Sequence, residues 1–157
     1  MVDILIIGCG IVGSLMAYEL SKYDVKVVVV DKENDIANES TMANSAIIHA
    51  GFDPIPNTLK AKLNLLGKDL YEPLCKSLKV GYKKVGSLTV ATSEEEVKKL
   101  EILESRAKEN KVKVRLISGD EVRVLEPQLS TNIVKGLVCE ETAIVYPWEV
   151  AIAAMEV

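Results

Sequence analysis

Glycines at positions 8, 10 and 13 stand directly after the apolar run Ile4-Leu5-Ile6-Ile7. The spacing Gly-x-Gly-x-x-Gly suits a turn that cradles phosphates. Gly8 permits the tight turn, Gly10 lets a pyrophosphate approach backbone N–H groups, and Gly13 lets the following helix pack on the strand. Ile11 and Val12 then begin that helix, whose unpaired N–H groups and dipole favour an anion. Asp31 ends the run Val25-Lys26-Val27-Val28-Val29-Val30, with Lys32 after it. The interval from the glycines to Asp31 is about the twenty residues of a dinucleotide fingerprint, in which the carboxylate accepts from an adenosine ribose. An acidic side chain there repels the 2′-phosphate of NADP, which leaves FAD and NAD.

The next polar stretch, Glu33 to Asn44, favours FAD, because a flavin must be held along its whole length. Ser40, Thr41, Asn44 and Ser45 offer small donors and acceptors for a pyrophosphate or a ribityl chain. His49 is the one histidine of the chain and lies in the apolar setting Ile47-Ile48-His49-Ala50-Gly51. A buried imidazole there needs a specific reason, and Gly51 lets the chain pass close to a flat ring system. The cysteines Cys9, Cys75 and Cys139 form no Cys-x-x-Cys pair, so no metal site or disulfide is expected. Cys75 and Cys139 read as packed thiols, and reduced thiols fit a cytoplasmic compartment.

These groups need a scaffold, and the hydrophobic pattern supplies one. Ile4–Ile7 reads as a strand buried on both faces of a parallel sheet. A helix to about Lys22 and the strand Val25–Val30 complete a βαβ unit. A helix follows over 58–78, with Leu59, Leu63, Leu66, Leu70 and Leu74 on one face and Lys60, Lys62, Lys68 and Lys76 outward. Strands are predicted at 86–91 and 112–117, and helices at 93–109 and 118–126. Ser93 and Glu96 suit a capping box at the first of these helices. Residues 134–138 and 142–145 read as a hairpin or bent strand pair. Pro147 opens a last helix without a stop signal, so the chain is expected to be the N-terminal part of a longer protein.

The 157 residues are 48% hydrophobic and 27% charged, with a net charge of −4. That balance is ordinary for a globular chain and lacks the basic excess of a nucleic-acid binder. No apolar run is long enough to span a bilayer, and the N-terminus lacks the features of a signal peptide.

Several segments together resemble the D-amino-acid-oxidase-type superfamily of FAD-dependent oxidoreductases. They are Asp3–Gly13, Val25–Lys32, Ala43-Asn44-Ser45-Ala46-Ile47-Ile48-His49-Ala50-Gly51, Leu59–Asn64, Gly86–Ala91 and Ala143–Glu149. Within it they are most similar to the glycerol-3-phosphate dehydrogenase and L-2-hydroxyglutarate dehydrogenase branch. The resemblance implies an α/β fold, a Rossmann-like FAD-binding βαβ unit with the start of an interleaved α+β substrate domain. Residues 1–79 would belong to the FAD-binding domain, 80–146 to the substrate domain, and 147–157 would return to the FAD side. It further implies hydride transfer to flavin N5 from the secondary alcohol of a small anionic substrate. Glycerol 3-phosphate is preferred, and L-2-hydroxyglutarate is the runner-up. His49 would lie near the flavin and accept the hydroxyl proton, with Ser45 orienting flavin or substrate. The anion clamp is expected mostly beyond Val157. An electron-accepting subunit or a peripheral membrane site stays open. The rival readings are a non-catalytic nucleotide-binding fragment and an NAD module.

Overall fold

The computed structural model describes residues 1–157. Its elements run β1 (Ile4–Ile7), α1 (Ile11–Leu20), β2 (Val27–Val30), β3 (Ile47–Ile48), α2 (Leu59–Leu78), β4 (Tyr82–Lys84) and β5 (Ser87–Ala91). There follow α3 (Glu94–Glu109), β6 (Arg115–Ser118), α4 (Gly119–Leu125), β7 (Lys135–Cys139), β8 (Ala143–Val145) and α5 (Pro147–Met155).

The chain divides into two units. The first contains 1–47, 72–82 and 145–157, and the second contains 48–71 and 83–144. The segment 1–79 expected on one side is thus divided at Ile47, with 48–71 grouped beside 83–144.

In the first unit β1 and β2 pair in parallel, Ile4 opposite Val27 and Ile7 opposite Val30. Four consecutive valines suit β2 because branched side chains pack well on a pleated surface. Strand alternation puts Ile4, Ile6, Val27 and Val29 on one face and Leu5, Ile7, Val28 and Val30 on the other. The first face lies against α1, and Ile6 is buried there. The second is open, with Leu5 56% and Ile7 82% exposed. Burial on both faces is therefore corrected: the sheet has two strands, and α1 covers one side. Helix α5 packs along α1 through its small buried residues Val150, Ala151 and Ala154.

In the second unit β7 lies between β5 and β6 in an antiparallel sheet, with Leu137 opposite Thr89 and Leu116. Helix α3 buries Val97 and Leu100 against Ala91 and Leu137. Ile117, Val122 and Ile133 form a further cluster under α4. Both helix starts are capped. Ser93 accepts from the Glu96 N–H, but the Glu96 carboxylate returns to the N–H and hydroxyl of Thr92 rather than to Ser93. The full reciprocal box is at Ser118 and Glu121.

Two further expectations are corrected. Strands β7 and β8 are not a hairpin: β8 lies between β3 and β4 in a separate sheet. The leucine face of α2 also points outward, with Leu59, Leu63, Leu66 and Leu70 all more than half exposed. Ala61, Cys75 and the terminal Leu78 are the buried residues on the helix instead, and Lys68 turns inward to pair with Glu141 at 2.6 Å. A partly buried ion pair thus stands on the side of α2 where an apolar contact was expected. No helix is long and apolar enough to cross a membrane.

Candidate dinucleotide-binding cleft

The turn after β1 is built from its own backbone. The Gly8 N–H donates to the Val30 carbonyl at 2.8 Å, which ties the turn to the end of β2. Gly8 holds φ at +104°, a region that side chains disfavour. Gly13 is fixed by closeness rather than by φ. A Cβ there would lie 1.9 Å from the Gly8 carbonyl oxygen, so only glycine lets α1 start this near the strand. Gly10 caps α1 in extended backbone, and a Cβ on it would come within 3.2 Å of the Thr41 hydroxyl. Cys9 is buried in the turn, and its thiol sits 3.8 Å from the Ser14 hydroxyl.

Residues distant in sequence complete the wall. The Thr41 hydroxyl accepts from the Ile11 N–H at 3.0 Å. A hydroxyl that accepts one bond keeps its own proton to donate, so buried Thr41 can pass the donor character of the helix start onward. Asn44 spends its amide on the turn below. Its Nδ2 donates to the carbonyls of Ser40 and Thr41 at 3.2 and 2.6 Å, and its Oδ1 accepts from the Ala46 N–H at 2.7 Å. Asn44 is therefore a strut that shapes the 40–46 loop, with little left for a ligand. Ser40 and Ser45 are exposed.

Asp31 sits at the tip of β2. Its carboxylate accepts from the Glu33 N–H at 2.9 Å and the Cys9 N–H at 2.5 Å. These bonds, the Glu33 one foremost, hold its pKa below the ordinary aspartate value. The carboxylate stays charged and keeps lone pairs free for further donors. Lys32 is exposed and paired with Glu39 at 2.5 Å and Glu33 at 3.5 Å. Its ammonium pKa is raised, chiefly by the hydrogen bond to Glu39.

Gly8, Gly10, Asp31, Ser40 and Thr41 line one cleft of about 180 Å³, joined by Glu33, Ala37, Asn38 and Glu39. Those last four residues were not among the sequence candidates. Ala37 is the least foreseeable: it is buried, holds φ at +62°, and donates its N–H to the Cys9 carbonyl. No residue type announces that role. Ile11 contributes its N–H and Gly13 its closeness. The Val12 side chain opens instead on a separate apolar groove with Leu15 and Met16.

The cleft suits part of a dinucleotide. Its bare glycine backbone, a hydroxyl with a spare proton and a charged acceptor match a pyrophosphate joined to a ribose. Its volume is below the roughly 300 Å³ at which whole-ligand sites begin, so it accounts for one end of the molecule.

His49 belongs to the second unit and is exposed, which corrects the burial expected from its apolar neighbours. The chain alternates here: Ala50 is fully buried and His49 turns outward. An outward imidazole is free to meet a ligand, whereas a buried one would be a packing group.

Comparison with known proteins agrees with the glycine turn. A glycerol 3-phosphate dehydrogenase of Caloramator mitchellensis is 43% identical over 157 residues, covering 99% of this chain and 33% of that protein. A mitochondrial L-2-hydroxyglutarate dehydrogenase of Arabidopsis thaliana is 36% identical, covering 91% of this chain and 29% of that protein. The chain thus spans about a third of the length of the curated relatives it matches. Among solved structures, a dithionite-reduced L-alpha-glycerophosphate oxidase from Mycoplasma pneumoniae with FAD bound superposes with a TM-score of 0.91 at 37% identity. That match covers 98% of this chain and 41% of the other. The family model for FAD dependent oxidoreductases, DAO, matches residues 3–157, and the chain belongs to that family.

Proposed function

We propose that this chain forms the cofactor-binding beginning of an FAD-dependent dehydrogenase acting on the secondary alcohol of a small anionic substrate, with glycerol 3-phosphate preferred. The observation that carries the cofactor part is the Gly8–Gly13 turn, with its N–H groups held by Thr41 and Asp31 beside a bare backbone cradle. Gly8, Gly10 and the Ile11–Gly13 helix start would hold the pyrophosphate, with Thr41 and Ser40 donating to it. Asp31 would accept from the adenosine ribose. Lys32 would screen the acidic wall made by Glu33 and Glu39. Bound FAD supplies a hydride acceptor at flavin N5.

In this reading His49 takes the proton of the substrate hydroxyl while the C–H bond is broken. Its exposure supports the role, since a general base must reach the proton it removes. Ser45, exposed four residues earlier in the same segment, would orient the ligand. The preference for glycerol 3-phosphate rests on the relatives named for that substrate. L-2-hydroxyglutarate is the second reading, favoured by the relatives named for it.

The test is anaerobic reduction of the FAD-loaded protein, followed by loss of flavin absorbance. Glycerol 3-phosphate is expected to bleach the flavin, and His49→Ala is expected to retain FAD and bleach about 10²–10⁴ times more slowly. Bleaching by L-2-hydroxyglutarate alone would move the assignment to the second reading. Equal rates with and without the imidazole would remove His49 from the reaction.

A further inference from the structure

His49 lies on a short loop whose downstream side is held by side chains from the end of α3. Asn110 is buried at 8% exposure, and its Nδ2 donates to the Gly51 carbonyl at 3.0 Å and to the Pro54 carbonyl at 2.9 Å. Both of its N–H donors are spent on carbonyls that bracket the same turn. Arg106, one helical turn earlier, donates to the Asp53 carbonyl at 2.9 Å. On the opposite side α2 presses against Gly51. A Cβ there would lie 2.7 Å from Leu65 Cδ2 and 3.0 Å from Asn64 Oδ1, and Gly51 holds φ at +95°. Between these supports Ala50 is fully buried with Ala107, Val112 and Cys139.

We infer that Asn110 is a positioning residue for His49. The two amide bonds fix residues 51–54, the buried Ala50 methyl locks the next residue back, and strand-like alternation then turns the His49 side chain outward. The Asn110 amide donates to two carbonyls of this loop at once. The packing residues alone would not set it, because apolar contacts are non-directional whereas a two-carbonyl clamp fixes register. Catalytic groups lose rate steeply when displaced by about 1 Å, so a clamp that begins two residues away, at Gly51, is a kinetic element. The inference rests on the reading of His49 as the proton acceptor.

Asn110→Asp keeps the shape of the side chain and removes both donors. In the FAD-loaded enzyme it is expected to lower kcat by roughly 10- to 100-fold with cofactor content and KM unchanged. In a His49→Ala background the same substitution is expected to change kcat no further, because the group it positions is gone. Backbone ¹⁵N order parameters supply a readout without activity. Residues 49–53 are expected to fall from about 0.85 to below about 0.6, while Leu116 and Leu137 in the β5–β7–β6 sheet stay rigid. Should Asn110→Asp fail to fold, Arg106→Gln at its partly exposed site carries the same measurements, with a smaller fall in kcat, about twofold to fivefold. Unchanged order parameters, or an equal loss of kcat in the His49→Ala background, would overturn the positioning role. If His49→Ala leaves kcat intact while the loop still loosens in Asn110→Asp, the clamp stands and the base assignment fails.

Discussion

Asp31 does two jobs with one carboxylate. It accepts from the Cys9 N–H, closing the glycine turn onto the end of β2, and from the Glu33 N–H, and it lines the cleft where the proposed ribose would sit. Asp31→Ala therefore removes both the ribose acceptor and a brace of the turn. FAD affinity should fall by about 10- to 100-fold, the range for lost charge-assisted hydrogen bonds, and equilibrium dialysis with flavin absorbance would measure it. Affinity within threefold of the parent would place the ribose elsewhere. The pH dependence has a definite sign. The native-state pKa is depressed by backbone donors, so the stabilisation is complete above the ordinary aspartate value of about 3.9. It fades as pH falls through the lowered native value. The parent protein should hold FAD evenly from neutrality to about pH 5 and lose a component specific to Asp31 only below about pH 4.

At the scale of elements, short-range signals were legible and long-range ones were not. The strand, glycine turn and helix at 4–20 follow from adjacent residues, and Asp31 follows from a fixed spacing. Thr41 reaches the Ile11 N–H across thirty positions, from a stretch without helix or strand, and nothing local marks it. Helix α2 shows the limit differently. Its leucines form a clear stripe, yet the buried positions include Ala61 and Cys75, with Lys68 drawn inward by Glu141. Periodicity finds the helix but cannot choose its inner face when a partner charge lies seventy-three residues away. Lys68 and Glu141 join α2 to the turn between β7 and β8, with side chains only 17% and 30% exposed. Burial pulls the Lys68 pKa down, but the bonds from Glu141 more than offset it. The net shift is upward, and Lys68 in turn holds the Glu141 pKa down. Glu141→Gln should cost about 1 kcal/mol, near the upper end for partly exposed pairs, as read from urea unfolding at pH 7. The cost should shrink as pH falls through the native Glu141 pKa, because protonation already removes the pair in the parent. A pH-independent cost would show that packing, not charge, is lost.

At the scale of the whole molecule, the chain carries two apolar surfaces, one in each unit. One is the open β1–β2 face, and the other is the outward leucine stripe of α2. The curated relatives are about three times as long as the region they share with this chain. The cleft of about 180 Å³ is smaller than a site for a whole dinucleotide ligand. The central claim is that the Gly8–Gly13 turn binds the pyrophosphate of FAD. It is tested most directly by titrating FAD into the purified parent chain and into Gly10→Val, following quenching of flavin fluorescence. A valine at position 10 would press on Thr41 and fill the space a phosphate needs, while a thermal melt reports whether the fold survives. Saturable quenching by the parent, lost in a folded Gly10→Val, is the predicted result. A folded Gly10→Val that binds FAD as the parent does would contradict the claim.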